Sequence, residues 1–154
     1  VDAVMKRLGI NQSGQTHEKD FPWKPSESYS QWHKTNMDKA VNLGIDSESA
    51  HWLLRRHGKQ VEQLFRLIEN QPDLVQRITA FVPFILADLV FCAQQEMVVH
   101  LEDLLRRRIP LLILTKMTAS QLQELAEITA NVLAWDKAKI ITEVEICTQK
   151  WLRP

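Results

Sequence analysis

Glycine is scarce in this chain, and its scarcity removes the commonest way of holding a dinucleotide. A loop that cradles a pyrophosphate needs G-x-G-x-x-G between a strand and a helix, so that backbone amides can approach the phosphates. Gly9, Gly14, Gly44 and Gly58 never come within that spacing, and no strand-like pattern precedes any of them. Cysteine is scarcer still. Cys92 and Cys147 are far apart in sequence, lie in helix-like apolar surroundings, and lack the C-x-x-C or Cys/His spacing of a zinc site, so they read as reduced cytosolic thiols. Charge of one sign is also missing. The 19 basic and 19 acidic residues cancel, leaving no field to attract nucleic acid or anionic lipid over a distance. The longest apolar run, Ile78 to Ala93, is interrupted by Thr79, Pro83 and Asp88. It falls short of the roughly 20 apolar residues that cross a bilayer and reads as a buried helix. The five histidines, His17, His33, His51, His57 and His100, include no pair at i and i+4, so a metal site on one helix lacks its minimum geometry. The serines form no G-x-S-x-G elbow. No catalytic, cofactor-binding or metal residue is therefore assigned. The chain opens on Val1 with no charged and apolar leader behind it, and is expected to begin mid-protein and to stay cytoplasmic.

What is present is helical periodicity. With 154 residues, 45% of them hydrophobic, the chain can bury one core. No stretch alternates with period two, and no repeat is visible, so the expected fold is an all-α orthogonal bundle of about six to seven helices. Asp2 to Leu8 reads as a short helix stopped by Gly9, with Val4, Met5 and Leu8 on a small apolar face. Asn11 to Ser28, with Gly14, Pro22 and Pro25, reads as a linker in which Phe21 and Trp23 dock on something. Tyr29 to Leu43 is expected to be a helix on Trp32, Met37, Ala40 and Val41. Asp46 should cap a helix through His57, with Ala50, Leu53 and Leu54 inward. Lys59 to Asn70 continues with Val61, Leu64, Phe65 and Ile68, and Pro72 opens a short helix over Leu74 to Ile78. A central helix is expected to start at Pro83 and to carry Phe84, Ile85, Leu89, Cys92 and Val99 on its apolar face. Thr118 and Gln121 have capping-box spacing before a helix on Leu122, Leu125, Ile128, Val132 and Leu133. Asp136 caps the last, with Ile140, Ile141, Val144, Cys147 and Trp151 on one side. His57, before Gly58, is read as a cover for a helix C-terminus, and Arg55, Arg56 and Lys59 as charge that complements the helix dipole.

The densest charge lies in Glu96 to Leu111, EMVVHLEDLLRRRIPL. In a helix beginning near His100, Leu101, Leu104 and Leu105 share a buried face. Glu102 and Asp103 then precede Arg106 and Arg107 by four residues, the favourable order for an ion pair, and Pro110 ends the helix. Three consecutive arginines point about 100° apart, so one of Arg106 to Arg108 must turn inward and needs a carboxylate. Glu96 and Asp88 are the candidates. Asp88, Glu96, Glu102, Asp103, Arg107 and Arg108 are accordingly expected to form an inter-helix or inter-domain network.

These residues also carry a resemblance. Pro83, Ala87, Asp88 and Glu96 fit P-x-x-x-A-E/D-x-x-x-x-x-x-x-E, and Leu101, Glu102, Asp103, Leu105, Arg107 and Arg108 fit L-E-D-x-L-x-R-R. LLRRHG at Leu53 to Gly58 is similar to L-x-x-R-Y-G, and Leu133 to Asp136 is similar to L-G-W-D. In that order the chain resembles the helical C-terminal domain of FAD-dependent glycerol-3-phosphate dehydrogenases. Departures are His57 for tyrosine, Asp88 for glutamate, Ile109–Pro110 for Thr-Arg, and Ala134 for glycine. The resemblance implies that residues 1–28 are the end of a flavin domain plus a linker, and that 29–154 form an accessory domain. FAD and substrate would then belong to an absent N-terminal FAD domain, which is the expected partner. It further allows a homo-oligomer and a membrane association made only through the parent, peripheral at the inner face of the cell membrane. The competing reading is an independent helical interaction module that binds a partner through a groove lined by Leu111 to Leu114.

Overall fold

The structure, a computed structural model, describes residues 2–10, 18–22 and 24–152. Among these, eight α-helices follow one another: α1 (Asp2–Arg7), α2 (Tyr29–Asn42), α3 (Ser47–His57), α4 (Val61–Asn70), α5 (Leu86–Gln95), α6 (Leu111–Leu114), α7 (Ala119–Leu133) and α8 (Lys137–Trp151). The described residues contain no strand, only one isolated bridge between Arg77 and Ile85. Residues 29–152 thus hold seven α-helices, and the all-α expectation is met. No described helix is long and apolar enough to cross a membrane.

The caps were written locally. Asp46 Oδ1 accepts the Ser49 amide at 3.1 Å, and Asp136 Oδ1 accepts the Lys139 amide at 2.7 Å. Thr118 and Gln121 bond reciprocally at the start of α7. Each satisfies amides that a first turn leaves unpaired. Arg77 Nε reaches back to Asp46 Oδ2 at 3.0 Å and holds that carboxyl well below the usual range, tying the loop before α5 to the start of α3. Gly58 stops α3 with φ +51°. Ala134 stops α7 with φ +53°, a left-handed cap that a side chain enters at a cost of about 1–2 kcal/mol. The resembled family's glycine at this position would adopt that conformation without the penalty.

α5 is the centre of the fold. Ala87 through Ala93 are all buried, because α5 packs against α4 on one side and α7 on another. α8 then closes over α7, burying Ile140, Val144 and Cys147. Leu101, Leu104 and Leu105 are all fully buried, as their spacing requires.

Several expectations need correction. The central helix starts at Leu86 rather than Pro83, because residues 76–86 pair as an irregular turn in which the Ile78 amide bonds the Phe84 carbonyl. It ends before Met97, whose φ of +50° turns the chain. Val99 therefore lies outside the helix and is exposed. Pro72 opens a short 3-10 turn, Pro72–Val75, not a helix to Ile78. Val41 and Ile141 face solvent, while Asn36 takes the buried place in α2 by donating to the Trp32 carbonyl at 2.8 Å. The apolar face of α1 is exposed at Val4 and Leu8, and so is Phe21. Trp23 and His17 lie outside the described residues.

Candidate functional site

Asp88 and Cys92 on α5, with Glu96 at its C-cap, recur every four residues along one stripe, and this stripe faces the end of α3. Asp88 is almost fully buried. Its Oδ1 lies 2.7 Å from His57 Nε2, and its Oδ2 accepts from Arg56 Nη1 at 3.2 Å. Arg56 Nη2 also donates to the carbonyl of Arg108 and approaches Cys92 Sγ at 3.4 Å. One guanidinium therefore fastens α3 to α5 and to the segment after it. Aromatic rings hold the cluster in place: the His57 ring stands edge-on to Phe91 at 5.0 Å, and Arg56 lies over Phe84 at 6.0 Å.

The segment that receives Arg56 is a π-helix, Asp103–Arg108. Its wider i→i+5 turn, rare outside special sites, distributes the three arginines to three different partners. Arg106 stacks over the Trp151 ring at 4.7 Å. Arg107 pairs with Asp103 at 3.1 Å and is largely exposed. Arg108 Nε meets Glu96 Oε2 at 3.5 Å. Glu102 turns to α8 and accepts from Lys150 Nζ at 2.7 Å, which lowers its pKa. Asp103 also accepts the His100 amide at 3.1 Å, closing the first turn from its third residue as a capping box does.

A second buried acid completes this staple. The Glu143 side chain, only 2% exposed, accepts from the Leu101 amide at 2.9 Å and from Lys139 Nζ at 2.6 Å. His100 Nδ1 lies 2.9 Å from Glu143 Oε1, the same oxygen that accepts from Lys139. Burial by itself pushes this carboxyl up, but the bonds from Lys139, His100 and Leu101 outweigh it and hold the pKa below the ordinary glutamate value. The cleft of about 250 Å³ beside it is lined by His100, Glu102, Asp103, Arg107, Glu143 and Lys150, and its three acids all have basic partners.

The six residues singled out in the sequence thus fall into separate pairs. Glu96 meets Arg108, and Asp103 meets Arg107, but Asp88 takes Arg56 and His57, and Glu102 takes Lys150. His57 is a buried partner of Asp88, not a solvated cover for a helix end, and Arg56 is a tie between helices rather than surface charge. Sequence reasoning missed Arg56, Lys139, Glu143 and Lys150. A signal existed for Glu143, which sits among Ile140, Val144 and Cys147 on the apolar side of its helix.

His57, Asp88 and Cys92 bring three potential metal ligands within 4.8 Å, a cluster the search for histidine pairs on one helix did not foresee. Arg56 touches both Asp88 and Cys92, so a fixed positive charge already occupies the place of a cation. Burial, with Asp88 beside it, also pushes the Cys92 thiol far up, and burial pushes Cys147 up to about 12. Neither thiol is ready to ligate or attack.

Fold and site together define an all-helical domain whose buried charges join its own helices. The family model for the C-terminal domain of alpha-glycerophosphate oxidase matches residues 19–140, and the chain belongs to that family. It is 26% identical over 132 residues to a mitochondrial glycerol-3-phosphate dehydrogenase of Arabidopsis thaliana, covering 81% of this chain and 21% of that protein. It is 29% identical to glycerol-3-phosphate dehydrogenase 2 of Mycobacterium tuberculosis over 66% of this chain and 17% of that protein. A Synechocystis glycerol-3-phosphate dehydrogenase is 32% identical over 61% of this chain and 17% of its own length. The chain therefore spans about a fifth of the curated relatives it matches. No solved structure matches it.

Proposed function

We propose that this chain is the accessory C-terminal domain of an FAD-dependent glycerol-3-phosphate dehydrogenase. The parent oxidises sn-glycerol 3-phosphate to dihydroxyacetone phosphate by hydride transfer to FAD, and both cofactor and substrate sit in an N-terminal FAD domain. Residues 1–28 are the end of that domain with its linker, and 29–154 pack against it. The stapled helices, with Asp88, Glu96, Glu102 and Arg108 at their junctions and the Asp103–Arg107 pair on the π-helical segment between them, give the parent a rigid docking body. The parent works in the cytoplasm, at most peripherally on the inner face of the cell membrane, and a second copy of the parent is a further partner.

The observation that carries this reading is the family match over residues 19–140, joined to relatives that bear the same enzyme name and of which the chain covers only about a fifth. The four glycines, which form no dinucleotide loop, agree with it. Its test is direct. The purified chain, incubated with FAD and glycerol 3-phosphate and a reducible dye, is expected to retain no flavin through gel filtration and to reduce no dye. Retained flavin, or turnover by the chain alone, would contradict the proposal.

A further inference from the structure

His33 on α2 and His51 on α3 are 18 residues apart in sequence, yet His33 Nε2 lies 3.2 Å from His51 Nδ1. We propose that this pair is a surface site for a borderline divalent transition cation of the Zn2+ class, which clamps α2 to α3.

The spacing supports this. A tetrahedral Zn2+ with bonds of about 2.0–2.1 Å sets neighbouring ligand nitrogens about 3.3 Å apart. The two facing nitrogens, 3.2 Å apart, already stand close to that separation. In the free state one ring nitrogen donates its proton to the other. Moving that proton to the far nitrogen of its own ring leaves two neutral imidazoles whose facing nitrogens both carry a free lone pair. No net proton is lost, and no charge has to be buried.

The rings are also held. His33 follows Trp32 and His51 follows Ala50, and both neighbours are buried in the core. The Tyr29 ring lies 5.6 Å from His33 and flanks it, and the rings of His33 and His51 meet edge to face at 5.1 Å. His51 is exposed, so water can supply the remaining ligands of a bound ion. Imidazole nitrogens select Zn2+, Ni2+ or Cu2+ over Mg2+ or Ca2+, which prefer oxygen. A search for histidines at i and i+4 cannot find this site, since its two ligands come from different helices.

The test uses the 154-residue chain with ZnCl2, and MgCl2 as control. Calorimetry is expected to show saturable binding of a single Zn2+ and none of Mg2+. At Zn2+ about ten times its Kd the melting temperature should rise by about 3–6 °C. His33→Ala and His51→Ala should each weaken Zn2+ binding at least about tenfold while leaving the metal-free helical circular dichroism unchanged. His33→Gln, which keeps the ring's approximate volume, guards against a packing effect and should lose binding equally. Zn2+ affinity unchanged in these variants, or no saturable binding below millimolar Zn2+, overturns the proposal.

Discussion

Replacing Asp88 by alanine should destabilise the domain by about 3–5 kcal/mol, the range for removing one member of a buried ion pair. The carboxylate takes Arg56 and His57 at once, and the His57 side chain is only 2% exposed, so it has no route to water. Arg56 keeps 21% of its side chain exposed and can partly rehydrate, which places the expected loss toward the lower end. At about 2–4 °C per kcal/mol for a domain of this size, the melting temperature should fall by at least about 6 °C. Asp88→Asn should cost less, because the amide oxygen still accepts one of the two bonds. Exchanging Arg56 and Asp88 together for methionine and leucine should recover only part of the loss, because the apolar pair removes one buried charge pair but leaves His57 and the Arg108 carbonyl without partners. Chemical denaturation of the three variants checks the prediction. Equal stability of Asp88→Ala and the parent sequence would show that the junction contributes nothing.

Glu143→Ala should cost about 1–3 kcal/mol, because the buried Leu101 amide loses its acceptor at the start of the π-helical segment. Its pH dependence has a definite sign. The folded-state pKa of Glu143 is lowered, so the folded state favours the ionised form. The stability this confers is fully present above the unfolded value of about 4.3 and is lost as pH falls toward the folded value. Asp46 and Glu102 are lowered too, so the whole domain weakens in acid. Glu143→Gln isolates one contribution: the stability difference between the parent sequence and this variant should be constant above about pH 5 and shrink below about pH 4. A difference that grows in acid would reverse the assignment.

The helices and their caps were legible because they are local. Asp46, Thr118 and Asp136 each sit at a fixed offset from the amide they satisfy, and Gly58 marks a backbone angle that few residues tolerate. The buried triplet Leu101, Leu104 and Leu105 was equally legible, since periodicity alone puts all three on one face. Pairing across helices was not. Glu102 has Arg106 four residues on, the partner a regular helix would give it, but it takes Lys150 from α8. The π-helical segment keeps the Asp103–Arg107 pair but sets Arg106 over Trp151 of α8, leaving Glu102 to Lys150. Asp88 gave up the arginine triplet for Arg56 because α5 ends before Met97, which leaves Arg108 nearest to Glu96. His57 and Arg56 looked like surface charge at a helix end; only the packing of α3 against α5 turns that end into an interior. The same limit hid the His33–His51 pair, whose geometry exists only after α2 and α3 are folded together.

The central claim is that a self-supporting helical body serves a flavin-bearing one. Calorimetric titration of this chain into a separately prepared N-terminal FAD domain of the proposed parent enzyme tests it most directly. The account predicts saturable binding near one-to-one, with the flavin absorbance contributed entirely by the N-terminal component. Absence of binding at high micromolar concentration, with both components folded, would contradict it.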